Sequence, residues 1–450
     1  MTSLRNQSLF PHYAATLRLG IPIAVGQLGV IILGFADTMM VGRYSTDALA
    51  SASFVNNLFT LITFFFMGYS YGLTPVVSAH YGRGEKAEAG SALKSALVAN
   101  SIFSTLMIGI MAILYFYIDR MGQPSHLLPL IRPYYLIILS SMFFVMLYNV
   151  IRQFTDGTTD TMSGMIALLA GNVLNIIGNW LLIYGIGPFP EMGLLGAGIS
   201  TLFSRIFMVV LLVGIIYYKK RYQPYIEGFY KMPLKSKAVG AINKCSLPIS
   251  MQMGMESGSF TCSAIMAGWI GAIELASYQV MVTIGTLGFL FYYSFGAGAS
   301  IRVATFVGTN NWVQVKQCAK AGFHILVVMA ALSSFAIFIF SEQLIGIFSN
   351  DPAVIATALS LIGVLILYQI ADATQICYAN VLRGTGTVIP IMWIAFVSYI
   401  LVNIPCTYIL GFPLGLGIHG IFLALSCGLF TAAPLFYWQY RRVLKRHISE

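Results

Sequence analysis

Three acidic side chains interrupt long apolar runs of this chain: Asp37, Glu256 and Asp372. A carboxylate held at the centre of a bilayer costs about 2.5–3.5 kcal/mol on insertion scales, so each needs a counter-charge, a proton, a bound cation or water. Arg205 is the one basic residue that falls inside the predicted helices and can offset one acid at most. At least two acids are therefore left to protonation, a cation or water, which is the chemistry of a coupled carrier. The competing reading is a carboxylate pinned by Arg205 or a hydroxyl for packing alone.

The polar neighbours sharpen this. Tyr368 precedes Asp372 by one helical turn, so its phenolic oxygen falls on the same face. Asn172, Asn175 and Asn179 share one predicted helix, the last two four residues apart, and Thr201 lies on the next. Carboxylate, amide and hydroxyl oxygens are hard ligands suited to an alkali cation, whereas a lone desolvated carboxylate suits a proton. The asparagines alternatively serve as interhelical hydrogen-bonding glue.

The elements that carry these residues follow from composition. Of 450 residues, 58% are hydrophobic and 9% charged, with a mean hydropathy of +0.81, which does not fit a chain solvated by water. The apolar runs are continuous, and stretches such as Ile102 to Tyr117 lack the in/out alternation of barrel strands. They predict an all-α integral membrane protein with twelve transmembrane helices, near 18–40, 53–78, 95–118, 133–152, 162–186, 194–218, 246–270, 276–300, 320–341, 358–381, 389–411 and 418–438.

Lys and Arg sort cleanly on this map: 21 fall in the termini and even-numbered loops and 3 (Arg43, Arg120 and Arg132) in the odd-numbered loops. The positive-inside rule then puts both termini in the cytoplasm. The net charge of +10 is topological, and without a compact basic patch interleaved with aromatics it does not indicate nucleic acid. The polar N-terminal stretch with Arg5, His12 and Arg18 leads into a run too long for a signal peptide, so the first helix is expected to be retained. Six cysteines without CxxC spacing read as packing residues.

A repeat organises the helices. At a shift of 226, Pro22 matches Pro248, Leu49-Ala50-Ser51 matches Leu275-Ala276-Ser277, Gly82 matches Gly308 and Lys94 matches Lys320. The chain therefore divides into a six-helix lobe over 1–218, a basic linker over 219–245 and a second six-helix lobe over 246–450. An even number of helices per unit gives both the same orientation, a pseudo-two-fold axis along the membrane normal and a cleft for alternating access. The acids do not repeat: the positions matching Asp37, Glu256 and Asp372 are Ser263, Val30 and Met146.

On these features the chain resembles the multidrug and toxin extrusion (MATE) family, in its bacterial NorM-like branch, over nearly its whole length. The residues that carry the resemblance are Gly34-Phe35-Ala36-Asp37-Thr38 with Val41-Gly42, Leu73-Thr74-Pro75, Gln252 with Glu256, Ile301-Arg302-Val303, Tyr368-Gln369-Ile370-Ala371-Asp372 and Val381-Leu382-Arg383-Gly384. Ser277-Tyr278-Gln279 and Ala304-Thr305-Phe306 depart from the pattern without touching an acid.

The resemblance implies export of cationic, amphiphilic drugs from the bacterial cytoplasmic membrane in exchange for Na⁺ or H⁺, with no cofactor, by a protein expected to act as a monomer. It implies a second-lobe cation site of Glu256, Asp372 and Tyr368, and a first-lobe site of Asp37, Asn175, Asn179 and Thr201. The three acids are also the implied contacts for drug. A flippase for lipid-linked oligosaccharide is the alternative, but it calls for a strongly basic cavity. An intramembrane enzyme is not expected, because neither an HExxH string nor an aspartate-rich pyrophosphate motif occurs.

Overall fold

The computed structural model describes residues 9–448, and the described chain is helical with no strand. Arg5 lies outside the described residues. Seven helices make up the first half: α1 (Phe10–Tyr44), α2 (Thr46–Tyr71), α3 (Leu73–Arg83), α4 (Lys86–Tyr115), α5 (Leu128–Gly157), α6 (Thr161–Tyr184) and α7 (Leu194–Tyr218). A short α8 (Gln223–Lys231) follows, then α9 (Ser236–Ile270), α10 (Ala272–Gly308) and α11 (Trp312–Ile339). The chain closes with α12 (Ser341–Phe348), α13 (Pro352–Ser360), α14 (Ile362–Gly384), α15 (Ile389–Ala395), α16 (Ile404–Gly411) and α17 (Gly417–Ile448).

Among the described residues, eleven segments are long and apolar enough to cross a membrane, α2 and α3 together forming one of them. The twelfth long helix is α9. It contains the expected span 246–270 but is diluted by Ser246, Ser250, Gln252, Glu256, Ser257, Ser259, Thr261 and Ser263. The expected helices 194–218 and 389–411 end where α7 and the α15–α16 segment end.

Local chemistry sets several boundaries. Ser45 caps α2 by accepting from Ala48 N, Asp160 caps α6 through Ser163 N and Asn311 caps α11 through Gln314 N. Gly185, at φ 65°, ends α6 in the left-handed conformation. Between α15 and α16 the backbone winds as a π-helix over Phe396–Asn403. Pro405 lacks the N–H that would bond the carbonyl of Leu401 and crowds that carbonyl, so the preceding turn widens. The widened stretch buries Ser398, Tyr399 and Asn403.

The basic linker is folded. Helix α8 lies close against α4, where a Cβ on Gly90 would stand 1.9 Å from the Tyr225 carbonyl oxygen and one on Gly228 would stand 2.2 Å from that of Ala87. Only glycine permits two helix backbones so near.

Two compact units form, each with its own core. One comprises Val25–Ser250, and the other Met1–Ala24 with Met251–Glu450. The first packs around Phe59, Tyr135 and Phe154, the second around Tyr278, Leu361 and Phe422. The divisions fall inside α1 and α9 rather than at the ends of the 219–245 linker, and they are 226 residues apart (250 − 24), the same shift that relates the sequence repeats.

Packing repeats as well. A Cβ on Gly157 would meet Val77 at 2.9 Å and the Thr74 carbonyl oxygen at 3.3 Å, and one on Gly384 would meet Val303 at 2.9 Å and the Ser300 carbonyl oxygen at 2.6 Å. Thr74 and Ser300, like Val77 and Val303, are 226 apart. The same glycine-mediated helix crossing is thus built once in each unit.

Candidate functional site

In the Val25–Ser250 unit, glycine brings α1 onto α6. A Cβ on Gly29 would stand 2.5 Å from Leu169 Cδ2 and 3.2 Å from Asn172 Nδ2, so the helices touch about two turns before Asp37 on α1. Asp37 is half-buried in α1, and its Oδ1 accepts from Asn179 Nδ2 at 2.5 Å. Asn175 satisfies its neighbours with its nitrogen facing Asp37 Oδ1 at 2.9 Å and its oxygen facing Thr201 Oγ1 at 3.2 Å. Asp37, Asn175, Asn179 and Thr201 therefore form one connected cluster, with Thr201 reaching the carboxylate through Asn175.

Arg205 does not close an ion pair with Asp37. It donates to Ser141 Oγ, and its charge acts on Asp37 from beyond ion-pair distance. Among the described residues no cation lies within 4.0 Å of this carboxylate. Asn172 is buried one turn earlier on α6 with its Nδ2 unpaired.

The other unit gathers Glu256 from α9 with Asp372 and Tyr368 from α14. Glu256 Oε1 accepts from Gln375 Nε2 at 3.1 Å and Oε2 from Gln252 Nε2 at 3.5 Å. Arg383 Nη2 donates to Gln252 Oε1 at 2.7 Å, so a guanidinium is connected to Glu256 through one amide. Asp372 is 1% exposed and its Oδ2 has no hydrogen-bond partner, as is true of Gln375 Oε1 and Gln369 Oε1, while the buried Tyr399 phenol lies beside the Glu256 carboxylate. Tyr368 is buried on the same helical face as Asp372, its ring edge-on to Phe260 at 6.2 Å.

A buried acceptor without a donor costs roughly 1–3 kcal/mol, more when charged. Several such oxygens around two carboxylates therefore favour a proton or a bound cation. Among the described residues no group of three or more His, Cys, Asp or Glu side chains is placed to hold a metal ion. The donor set is two carboxylates with amide and phenol oxygens, the chemistry of a weakly bound alkali cation or proton rather than of a soft transition metal.

One expectation is corrected here. Arg205 is not the only basic residue within the spans, because α14 runs to Gly384 and carries a buried Arg383, and α5 runs to Gly157 and carries a buried Arg152. The predicted helices ended at 381 and 152, three and five residues short, because charged residues were read as helix ends. A cation in the last turn of a helix is instead favoured by its carbonyls.

The lengthened helices also expose what the sequence reading missed. Gln375 follows Asp372 by three residues, a spacing that could have flagged it, and Tyr399 gave no signal before the π-helix placed it. Asp156 lies within 3.7 Å of Arg152, four residues earlier on α5.

Beyond α5, Asp160 accepts from Ser163 Oγ at 2.7 Å, Lys219 Nζ at 3.0 Å and Tyr222 Oη at 2.9 Å. Burial works against the Asp160 carboxylate, but these bonds and the Lys219 charge outweigh it and hold the group below the ordinary carboxylate range. Tyr222 keeps its proton because burial and the Asp160 charge push its phenol up. This knot fastens the end of α7 to the α5–α6 turn.

The MatE family model matches residues 22–181 and again 248–409, two segments whose starts are 226 apart. Multidrug resistance protein NorM of Photobacterium profundum is 28% identical over 434 residues, covering 94% of each chain. A probable multidrug resistance protein NorM of Rhizobium meliloti is 27% identical, covering 97% of this chain and 94% of its own. Among solved structures, a MATE crystal structure in the straight conformation superposes with a TM-score of 0.87 at 18% identity, covering 99% of this chain and 98% of its own. An outward-facing multidrug resistance MATE family transporter of the MOP superfamily gives 0.88 at the same identity and coverage. These two share the fold.

Proposed function

This chain belongs to the MatE family, and from that premise we propose that it is a secondary active multidrug efflux transporter, exchanging cationic amphiphilic compounds for Na⁺ or H⁺ by alternating access. Similarity to the NorM multidrug resistance proteins over nearly full length supports the substrate class. The observation that carries the coupling is that the buried Asp372 Oδ2 and Gln375 Oε1, beside the Glu256 carboxylate, have no donor. In this reading the protein is a monomer of the bacterial cytoplasmic membrane with both termini in the cytoplasm.

Each carboxylate has one negative charge to offer. When a proton or Na⁺ occupies Glu256 and Asp372, with Tyr368 as a further oxygen, that charge no longer holds a cationic drug, and release is linked to ion entry. Asp37 works in the same way in the other unit, with Asn175, Asn179 and Thr201 setting the orientation of its carboxylate. Only a difference in affinity between inward- and outward-open states can drive exchange, so neutralising an acid must weaken coupling as well as binding. A lipid-linked oligosaccharide flippase is not favoured, because the charged groups at the centre of both clusters, Asp37, Glu256 and Asp372, are acids.

The test is ethidium efflux from loaded, drug-sensitive bacterial cells, with a Na⁺ gradient and a proton gradient imposed separately. Efflux that follows one gradient identifies antiport and its ion. No efflux under either, at normal expression, would overturn the proposal.

A further inference from the structure

Apart from the two acidic clusters, the unit containing α11, α14 and α17 holds a cavity of about 660 Å³ whose lining, among the described residues, carries four cations and no acid. Lys316 and Lys320 are one turn apart on α11, and Arg441 and Lys445 are one turn apart on α17, so two pairs of positive charge border the same space. Lys316 and Lys320 are exposed and make no hydrogen bond or ion pair with any described residue.

Phe323, Tyr378, Tyr437 and Tyr440 give the wall an aromatic part. Tyr378 of α14 stacks on Phe323 with ring centres 5.5 Å apart and meets Tyr437 at 5.0 Å, while the Arg441 guanidinium lies over the Tyr437 ring at 5.9 Å. The ends of the two helices are tied beside the cavity, the Trp312 and His447 rings lying parallel at 4.0 Å. The cavity is therefore a braced feature of the fold.

We propose that this cavity binds the phosphate headgroup of an anionic phospholipid. Four cations repel a cationic drug and attract a phosphodiester, and Arg pairs with phosphate oxygens through its planar fork. The cavity sits where spanning helices end in basic residues, and basic pockets between such helices select anionic headgroups. Ile448, which lines the cavity, and Trp438, nearly three turns before it on α17, are 48% and 57% exposed and supply apolar surface for a glycerol backbone and acyl chains. Tyr and Trp at this level are the residues of a membrane interface. A soluble anion uses the cations alone, whereas a lipid uses both features.

The experiment takes the purified full chain in a neutral detergent and titrates it with short-chain phosphatidylglycerol, short-chain phosphatidylcholine and glycerol phosphate, reading thermal midpoint and bound lipid by native mass spectrometry. Phosphatidylglycerol is expected to bind and stabilise, and the other two are not. Each surface cation contributes about fivefold in affinity, so Lys316→Gln with Lys320→Gln should weaken phosphatidylglycerol about thirtyfold. Should that double variant fail to fold, Arg441→Gln is read in its place, with about fivefold expected. Unchanged affinity in the variant that is read would overturn the site. Equal binding of glycerol phosphate would overturn the lipid assignment in favour of a soluble anion, and equal binding of phosphatidylcholine would overturn selectivity for negative charge.

Discussion

Gln375 Nε2 donates to Glu256 Oε1 at 3.1 Å, joining α14 to α9 three residues after Asp372. The bond holds one carboxylate in place while leaving the Gln375 carbonyl oxygen without a donor and free to face a cation. Gln375→Leu removes both roles at nearly constant volume. A hydrogen bond to a charged group is worth about 1.5–3 kcal/mol. The expected outcome is at least a tenfold rise in the cation concentration needed for half-maximal ethidium efflux at matched expression. An unchanged cation dependence would remove Gln375 from the site.

In the other unit the order of effects follows the connections to Asp37. Asn179 touches the carboxylate directly, whereas Thr201 reaches it through Asn175. Asn179→Ala should therefore reduce ion-driven efflux about tenfold or more, and Thr201→Ala by a few-fold only. Transport assays on the two variants at matched expression decide it, and the reverse order would contradict the geometry.

The repeated helix crossings predict a graded loss of stability. In Gly384→Ala the new Cβ meets the Ser300 carbonyl oxygen at 2.6 Å, which is backbone and cannot swing away. In Gly157→Ala the nearest contact is Val77 at 2.9 Å, and the nearest backbone atom, the Thr74 carbonyl oxygen, is farther off at 3.3 Å. Overpacking costs about 1–3 kcal/mol, so both variants should melt at lower temperature, with Gly384→Ala the lower. Thermal unfolding in detergent reports the order.

Asp160 carries a pH dependence of definite sign. Its folded carboxyl titrates below the ordinary unfolded value of about 3.9, so its contribution is present above that value and is lost as pH falls through the folded pKa. Asp160→Asn should lower the thermal midpoint at neutral pH and reduce the difference from the parent below about pH 4. A difference that stays constant from neutral pH down to about pH 3 would show that Lys219 and Tyr222 do not stabilise the ionised form.

The fold was largely legible because the bilayer imposes a simple rule on sequence. Apolar length set the helices, and α9 was read among them although polar residues dilute it. The lobe boundary was less legible: divisions inside α1 and α9 depend on which residues touch, and the basic linker offered a more obvious place to cut. Charged residues near helix ends misled for the same reason, since Arg383 and Arg152 look like loop residues until the helix around them is seen.

By itself the sequence determined the membrane-spanning, duplicated, all-helical frame and picked out Asp37, Glu256 and Asp372, because a carboxylate in an apolar run is costly wherever the chain folds. Tertiary structure alone decided which groups face those acids. It connected Arg383 to Glu256 through Gln252, turned Tyr399 inward on a π-helix and gave Asp37 two amides in place of an arginine. Hydrogen bonds act over about 3 Å, and partners 119 residues apart, such as Gln375 and Glu256, carry no mark of one another until the helices pack.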